Sequence, residues 1–205
     1  MKKTAVINYG LGNLRSVVNA IEALGHEAFI AERPEMLRDA DRIVLPGVGA
    51  FGDGMTKLVE GGWTEALERE VREIGKPFIG LCLGMQLLAT SGTEHGVRPG
   101  LGWVNGTVDR LPENGVRIPH VGWNDVRLVR TDGLYADLRE TGVFYFVHSY
   151  VLQPEDSSIV TGVCDYGAEF CASIETGNVF ATQYHPEKSQ KAGLSVLGRF
   201  LTWKG

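Results

Sequence analysis

The sequence predicts an α/β fold in which a mainly parallel central sheet is flanked by helices, with an additional antiparallel β patch. Three observations carry this reading. Short apolar strands alternate with helix-period segments through the first half of the chain. Several short β-rich stretches separated by turn residues fill the second half, and an amphipathic segment closes the chain. At 205 residues the chain suits a single domain spanning 1–205.

In order, Thr4–Asn8 is a short apolar strand. Gly12–Leu24 then places Leu14, Val17, Val18, Ile21 and Leu24 at helical spacing. Glu27–Ala31 and Arg42–Leu45 are the next strands, the latter running into a Pro-Gly turn. Gly54–Ile74 reads as helix broken at Gly61–Gly62, since paired glycines disfavour a helix interior. Pro77–Leu81 is a fourth strand, and a helix is expected to begin over Met85–Ala89. Beyond Gly102 the β-rich stretches are Trp103–Arg110, Asn124–Leu128, Val143–Val147, Ile159–Cys164, Glu169–Glu175 and Val179–Gln183, followed by a helix over roughly Gln190–Trp203.

Composition narrows the class. The 43% hydrophobic and 22% charged content is ordinary for a globular protein, and the formal charge of −5 comes without any Lys/Arg-rich block, which argues against nucleic-acid binding. No apolar run is long enough to cross a bilayer. Lys2 and Lys3 precede a short apolar stretch that ends in a Tyr-Gly-Leu-Gly turn, so the start of the chain reads as a strand and not as a signal peptide. The three cysteines, Cys82, Cys164 and Cys171, are odd in number and widely spaced with no Cys-x-x-Cys pair. That spacing argues against a disulfide scaffold or a zinc site and suits a reducing, cytoplasmic setting. No metal or cofactor is expected.

The strongest local signal is Gly80-Leu81-Cys82-Leu83-Gly84, between an apolar strand and an apolar helix. It is the cysteine counterpart of a nucleophile elbow. A nucleophile on a tight strand-to-helix turn occupies strained backbone, glycines let neighbouring chain come close, and the side chain rises above the carboxyl edge of the sheet. The following helix would aim free N–H groups at a thiolate or an oxyanion. Cys164 and Cys171 lie within strands and read as core residues.

A thiol nucleophile needs a base, and the base needs orienting. His185, in Gln183-Tyr184-His185-Pro186-Glu187, ends an apolar strand. The following proline favours extended geometry, which would set His185 and Glu187 on one side. His26 and His95 read as surface residues. Gly47-Val48-Gly49-Ala50-Phe51-Gly52 matches a dinucleotide fingerprint, but the acidic residue that should follow a next strand is missing, and no Walker A pattern occurs. Backbone N–H groups beside Cys82 are the better use of this segment, as a second oxyanion donor.

Taken together these residues resemble the class I (triad) glutamine amidotransferases, and within them the glutaminase subunits of imidazole glycerol phosphate synthases. The resemblance runs through Asn8–Asn13, Leu45–Gly49 with Phe51, Gly80–Leu88, Pro119–Asn124, Phe146–Tyr150 and Gln183–Ser189. It implies the corresponding fold and a Cys82–His185–Glu187 triad that hydrolyses L-glutamine. It implies an oxyanion site from Gly47, Val48, Gly49 and Leu83, and glutamine recognition by Gln86, Glu94, Ser149 and Tyr150. It also implies a (β/α)8-barrel cyclase partner in a heterodimer that receives the ammonia, with Asn13, Trp123, Asn124 and Lys188 near the partner. The alternative is a related amidotransferase subunit serving a different synthase, such as a sugar-modifying one.

Overall fold

The computed structural model describes residues 2–136 and 142–204. In chain order the strands are β1 (Lys3–Ile7), β2 (Glu27–Ala31), β3 (Arg42–Leu45), β4 (Phe78–Leu81), β5 (Ala89–Gly92), β6 (Arg98–Pro99) and β7 (Val104–Arg110). They continue as β8 (His120–Leu128), β9 (Gly142–His148), β10 (Tyr150–Pro154), β11 (Val160–Asp165), β12 (Glu169–Thr176) and β13 (Val179–Thr182). The helices are α1 (Leu14–Ala23), α2 (Phe51–Glu60), α3 (Trp63–Leu67), α4 (Leu83–Gln86) and α5 (Gln190–Thr202), and α3 runs on into a π-helical turn over Glu68–Glu73.

A nine-stranded sheet is ordered β2-β1-β3-β4-β13-β12-β11-β8-β9. From β2 to β13 the pairings are parallel, and from β13 to β9 they are antiparallel. The antiparallel region is therefore a continuation of the central sheet. A separate four-stranded sheet, β10-β7-β5-β6, covers one side. The parallel strands alternate their side chains between two cores, as the two-residue strand period requires. Ala5, Ile7, Ile43 and Leu45 pack with Leu58, Leu67 and Val71 of the α2–α3 layer. Val6, Val44, Ile79 and Phe180 pack with Val17 and Ile21 of α1 and with Val196 and Phe200 of α5. The buried Arg42 ties the end of α5 down, donating from Nε to the Phe200 carbonyl (3.1 Å) and from Nη2 to that of Trp203 (2.6 Å). Helix-terminal carbonyls lack partners within the helix, and a guanidinium supplies them.

Several elements differ from the sequence expectation. The helix expected over Met85–Ala89 is the single turn α4, and Ala89 opens β5. Helix propagation stops because the carbonyls it needs are taken: Leu101 N–H donates to Leu87 O, Trp103 and Val104 to Leu88 O, and Gly102 to Ala89 O. Strand β8 starts at His120 and not at Asn124, since its first half pairs residue for residue with β9, from His120 opposite His148. Strand β10 was not anticipated; it pairs with β7, and its edge position accommodates Pro154. The break at Gly61–Gly62 falls where expected, between α2 and α3.

Glycine is required where β3, β4 and α4 converge. A Cβ on Gly84 would lie 1.9 Å from the Leu45 carbonyl oxygen, and one on Gly80 would lie 2.6 Å from that of Gly84. Both obstacles are backbone and cannot rotate away. Gly84→Ala is therefore expected to destabilise the fold by about 2 kcal/mol or more, the upper range of overpacking costs. Urea denaturation of the variant beside the parent measures this; an unchanged midpoint would mean the two segments are not held this close.

Candidate active site

Register places the first two site residues. Strands β4 and β13 run parallel with Leu81 opposite Thr182, and the Cys82 N–H donates to the Thr182 carbonyl (2.8 Å). The chain thus leaves both strands at the same carboxyl edge, Cys82 on one and Gln183, Tyr184 and His185 on the other. Cys82 sits at φ 54°, ψ −107°, a positive-φ conformation that L residues rarely adopt. Its thiol is buried, with Sγ 3.6 Å from Gln183 Nε2 and 3.9 Å from the Val147 carbonyl. This is the elbow geometry expected from the glycine spacing. The helix behind it is only one turn long, so its dipole supports the sulfur less than a full helix would.

His185 and Glu187 are paired as expected, Nδ1 to Oε1 at 2.8 Å, with both side chains buried. The local reason differs from the expectation. His185 is extended, but Pro186–Lys188 forms a 3-10 turn, which swings the Glu187 carboxylate back onto the ring. The His185 backbone is fixed at both ends: its N–H donates to Tyr145 O (2.9 Å), and its carbonyl accepts from Ser189 Oγ (2.6 Å). Burial opposes charging the ring, but Cys82 and Glu187 outweigh it and raise the His185 pKa to about 10. A carboxylate on Nδ1 fixes the proton there and leaves Nε2 for chemistry. Nε2 is buried with no formed hydrogen bond, as is Glu187 Oε2.

A cavity of about 420 Å³ opens over Cys82, within the range of small-molecule sites. Val48, Gly49 and Leu83 line it beside the cysteine. Gly47 lies beneath, so close to Tyr9 Oη, Leu83 and Gly84 that a Cβ would approach them to 2.4, 2.9 and 3.2 Å. Gly49 is at φ 109° with open space around it. The segment is therefore pinned at one end and unencumbered at the other. Gln86, Glu94, Ser149 and Tyr150 all line the same cavity. The Gln86 amide nitrogen is already committed, to Tyr150 O (2.8 Å) and Gln183 Oε1 (3.0 Å), which leaves its Oε1 for a ligand. Glu94 accepts from Phe51 N–H (2.8 Å) at the start of α2 and so anchors the helix while facing the cavity.

The residues expected near a partner divide. Asn13 is exposed and caps α1, accepting from Ser16 N–H (3.3 Å). Trp123 is 48% exposed, with its ring edge-on to Tyr145 at 5.9 Å, so it is not packed beneath the hairpin. Asn124 is half-buried and hydrogen-bonds His120 and the Asp165 carbonyl. Lys188 lines the cavity over Cys82, its ammonium 5.7 Å from the Tyr145 ring. Cys164 and Cys171 are buried, and burial pushes both thiols up to about 12, in keeping with a packing role.

Sequence reading missed Gln183 and Tyr9. Gln183 is fully buried and bridges Gln86 to the Cys82 sulfur; its place two residues before His185 in an extended segment was the available signal. Tyr9 Oη is buried without a partner, and burial and the nearby Cys82 raise its pKa beyond the ordinary phenol value.

Known proteins resemble the chain along nearly its whole length. A family model described as "Glutamine amidotransferase class-I" matches residues 5–202. The chain is 46% identical over 206 residues to "Imidazole glycerol phosphate synthase subunit HisH" of Geobacter sulfurreducens, covering 98% of each chain. It is 49% identical over 199 residues to the protein of the same name in Aquifex aeolicus, covering 97% of this chain and 95% of that one. Among solved structures, a glutamine amidotransferase superposes with a TM-score of 0.76 at 22% identity over 97% of both chains. PurLQS from Thermotoga maritima gives 0.75 at 22% identity over 98% of both. At that identity the likeness speaks to the fold.

The His185 pairing predicts a titration. In Cys82→Ala the ring loses its sulfur partner, and its pKa is expected to fall from about 10 toward the ordinary histidine value. The folded-state value lies above the unfolded one. The pair's stabilising contribution is therefore complete below pH ~6.5 and is lost as pH rises through about 10 in the parent, and at lower pH in the variant. Imidazole NMR titration reads both values; a variant ring still titrating near 10 would exclude the sulfur as the cause.

Proposed function

The chain belongs to the class I glutamine amidotransferase family, and we propose that Cys82, His185 and Glu187 are the catalytic triad of its glutaminase reaction. The chain is the glutaminase subunit of an imidazole glycerol phosphate synthase, an enzyme of histidine biosynthesis, and it hydrolyses L-glutamine to glutamate and ammonia. The observation that carries the residue assignment is the convergence of the strained Cys82 elbow and the buried His185–Glu187 pair on one sheet edge.

The Cys82 thiolate attacks the carboxamide carbon of glutamine. The carbonyl oxygen becomes an oxyanion, held by the N–H of Leu83 and by N–H groups of the Gly47–Val48–Gly49 segment. His185, protonated on Nε2, gives that proton to the leaving nitrogen; the C–N bond breaks and ammonia departs, leaving a glutamyl thioester. His185 then takes a proton from water, hydroxide adds to the thioester carbon, and the C–S bond breaks to release glutamate. Glu187 stabilises the imidazolium in both halves. Glu94 offers a carboxylate for the α-ammonium of glutamine, and backbone N–H groups near Ser149 and Tyr150 face its α-carboxylate. Gln86 Oε1 is free for the same ligand.

The partner is a (β/α)8-barrel cyclase that receives the ammonia. Exposed Trp123, with Val121 (55% exposed) on the same strand face, supplies an aromatic and apolar anchor of the kind interfaces use, and Asn13, Asn124 and Lys188 are the further residues assigned near the partner. One glutaminase domain spanning 1–205 is the organisation this requires. No helix among the described residues is long and apolar enough to cross a membrane. The contrast between pinned Gly47 and open Gly49 supports a segment that reorients when the partner binds its ligand.

Glutamate release should therefore be low for the isolated chain and rise when the cyclase and its ligand are added. Cys82→Ala should lower turnover in the assembled enzyme by at least about 10³-fold. Retained turnover in that variant would eliminate the triad assignment, and turnover indifferent to the partner would eliminate the switch.

A further inference from the structure

Two histidines outside the triad, His120 on β8 and His148 on β9, face each other across the hairpin and are buried. The groups around them fix their protonation. The Tyr150 carbonyl can only accept, so His148 Nδ1, 3.1 Å away, carries a proton. A neutral His148 then offers a lone pair at Nε2, and His120 Nδ1 donates to it across 3.1 Å. That leaves His120 Nε2 as an acceptor, which the Asn124 side-chain amide meets at 3.4 Å. Every role is used once and none conflicts. Burial lowers the pKa of His120 to about 4; burial with the neighbouring His120 lowers that of His148 to about 3, so both rings are neutral. The His120 ring is clamped in a stack, with Tyr166 at 3.9 Å and Phe146 at 4.8 Å, which fixes the direction of its nitrogens.

The chain of bonds does not stop at Tyr150. The same carbonyl accepts from Gln86 Nε2, Gln86 reaches Gln183 Oε1, and Gln183 Nε2 reaches Cys82 Sγ. One network with a single donor direction at each histidine thus joins half-exposed Asn124 to the carbonyl of the cavity-lining Tyr150, where a second arm from the nucleophile ends.

We propose that His120 and His148 are positioning residues for substrate: a tautomer-locked relay that holds the Ser149–Tyr150 turn, and with it the carboxylate-reading amides, in the geometry glutamine requires. The proposal rests on the glutamine reading above. The relay does not touch the reacting atoms. Its loss weakens glutamine binding and leaves the chemical step in place.

The test is protection of Cys82 from iodoacetamide by glutamine in the full chain, read on the Cys82 peptide by mass spectrometry. His120→Phe keeps the ring stack and removes the relay, and it should raise the half-protecting glutamine concentration about tenfold, the loss of one buried hydrogen bond. His120→Asn, whose amide can stand in for Nδ1, should stay within about threefold of the parent. Asn124→Leu removes the amide that meets His120 Nε2 and should raise it about threefold. In the glutamate-release assay of the assembled enzyme His120→Phe should raise KM and leave kcat within about twofold. Unchanged protection in His120→Phe or Asn124→Leu overturns the relay. Equal losses in His120→Phe and His120→Asn also overturn it, because they report packing alone, and so does a loss confined to kcat. Failure of glutamine to protect the parent's Cys82 would strike the glutamine reading instead.

Discussion

The site depends on one steric constraint, the close approach of backbone at the carboxyl ends of β3 and β4. Gly84 lies so near the Leu45 carbonyl that no side chain fits, Gly80 is as tightly placed against Gly84, and Gly47 gives way to Tyr9 and Leu83. These contacts force the turn between β4 and α4 to be as sharp as it is. The turn in turn holds Cys82 at a positive φ, at a cost of about 1–3 kcal/mol that the packed surroundings must offset. Relaxing the approach would let the cysteine fall back to ordinary geometry. The sulfur would then no longer face the cavity, and the Gly47–Gly49 segment would lose its footing.

The second half of the site works by opposing burial with pairing. His185 is enclosed, and enclosure alone would keep it neutral. The sulfur on one side and the Glu187 carboxylate on the other reverse that outcome. An imidazolium suits the proposed transfer of a proton to the leaving nitrogen. The ring's position is over-determined by Tyr145, Ser189 and Glu187, so little reorganisation is required during reaction. The unpartnered Nε2 and Glu187 Oε2 are the exceptions one expects where a ligand and moving protons complete the hydrogen bonding. The His120–His148 pair follows the opposite logic. Burial there is not countered by any carboxylate, so the rings stay neutral and serve geometry instead of proton transfer.

Much of this was legible in the residues. The Gly80–Gly84 pattern located the elbow, and Gln183–Glu187 located the paired His185 and Glu187, because both motifs carry local steric consequences. Val48, Gly49, Leu83, Gln86, Glu94, Ser149 and Tyr150 all reached the cavity that the motifs implied. The length of the helix after the elbow was not legible. The apolar run Met85–Ala89 suits a helix, yet Leu101–Val104 takes the carbonyls on which propagation depends. That competition comes from residues a dozen or more positions away. Strand β10 was missed for a related reason, since its identity rests on pairing with β7.

By itself the sequence determined the α/β class and the family and singled out the proposed nucleophile and base, because periodicity and short motifs act over a few residues. Only the tertiary structure decided how those parts meet. The parallel register of β4 with β13 sets Cys82 beside Gln183 and His185. The turn at Pro186–Lys188, not an extended run, delivers Glu187 to the ring. The β8–β9 hairpin brings His120 to His148, and from there a chain of hydrogen bonds leads to the sulfur. Hydrogen bonding and exclusion of backbone from backbone act between segments far apart in the chain, and no local pattern encodes them.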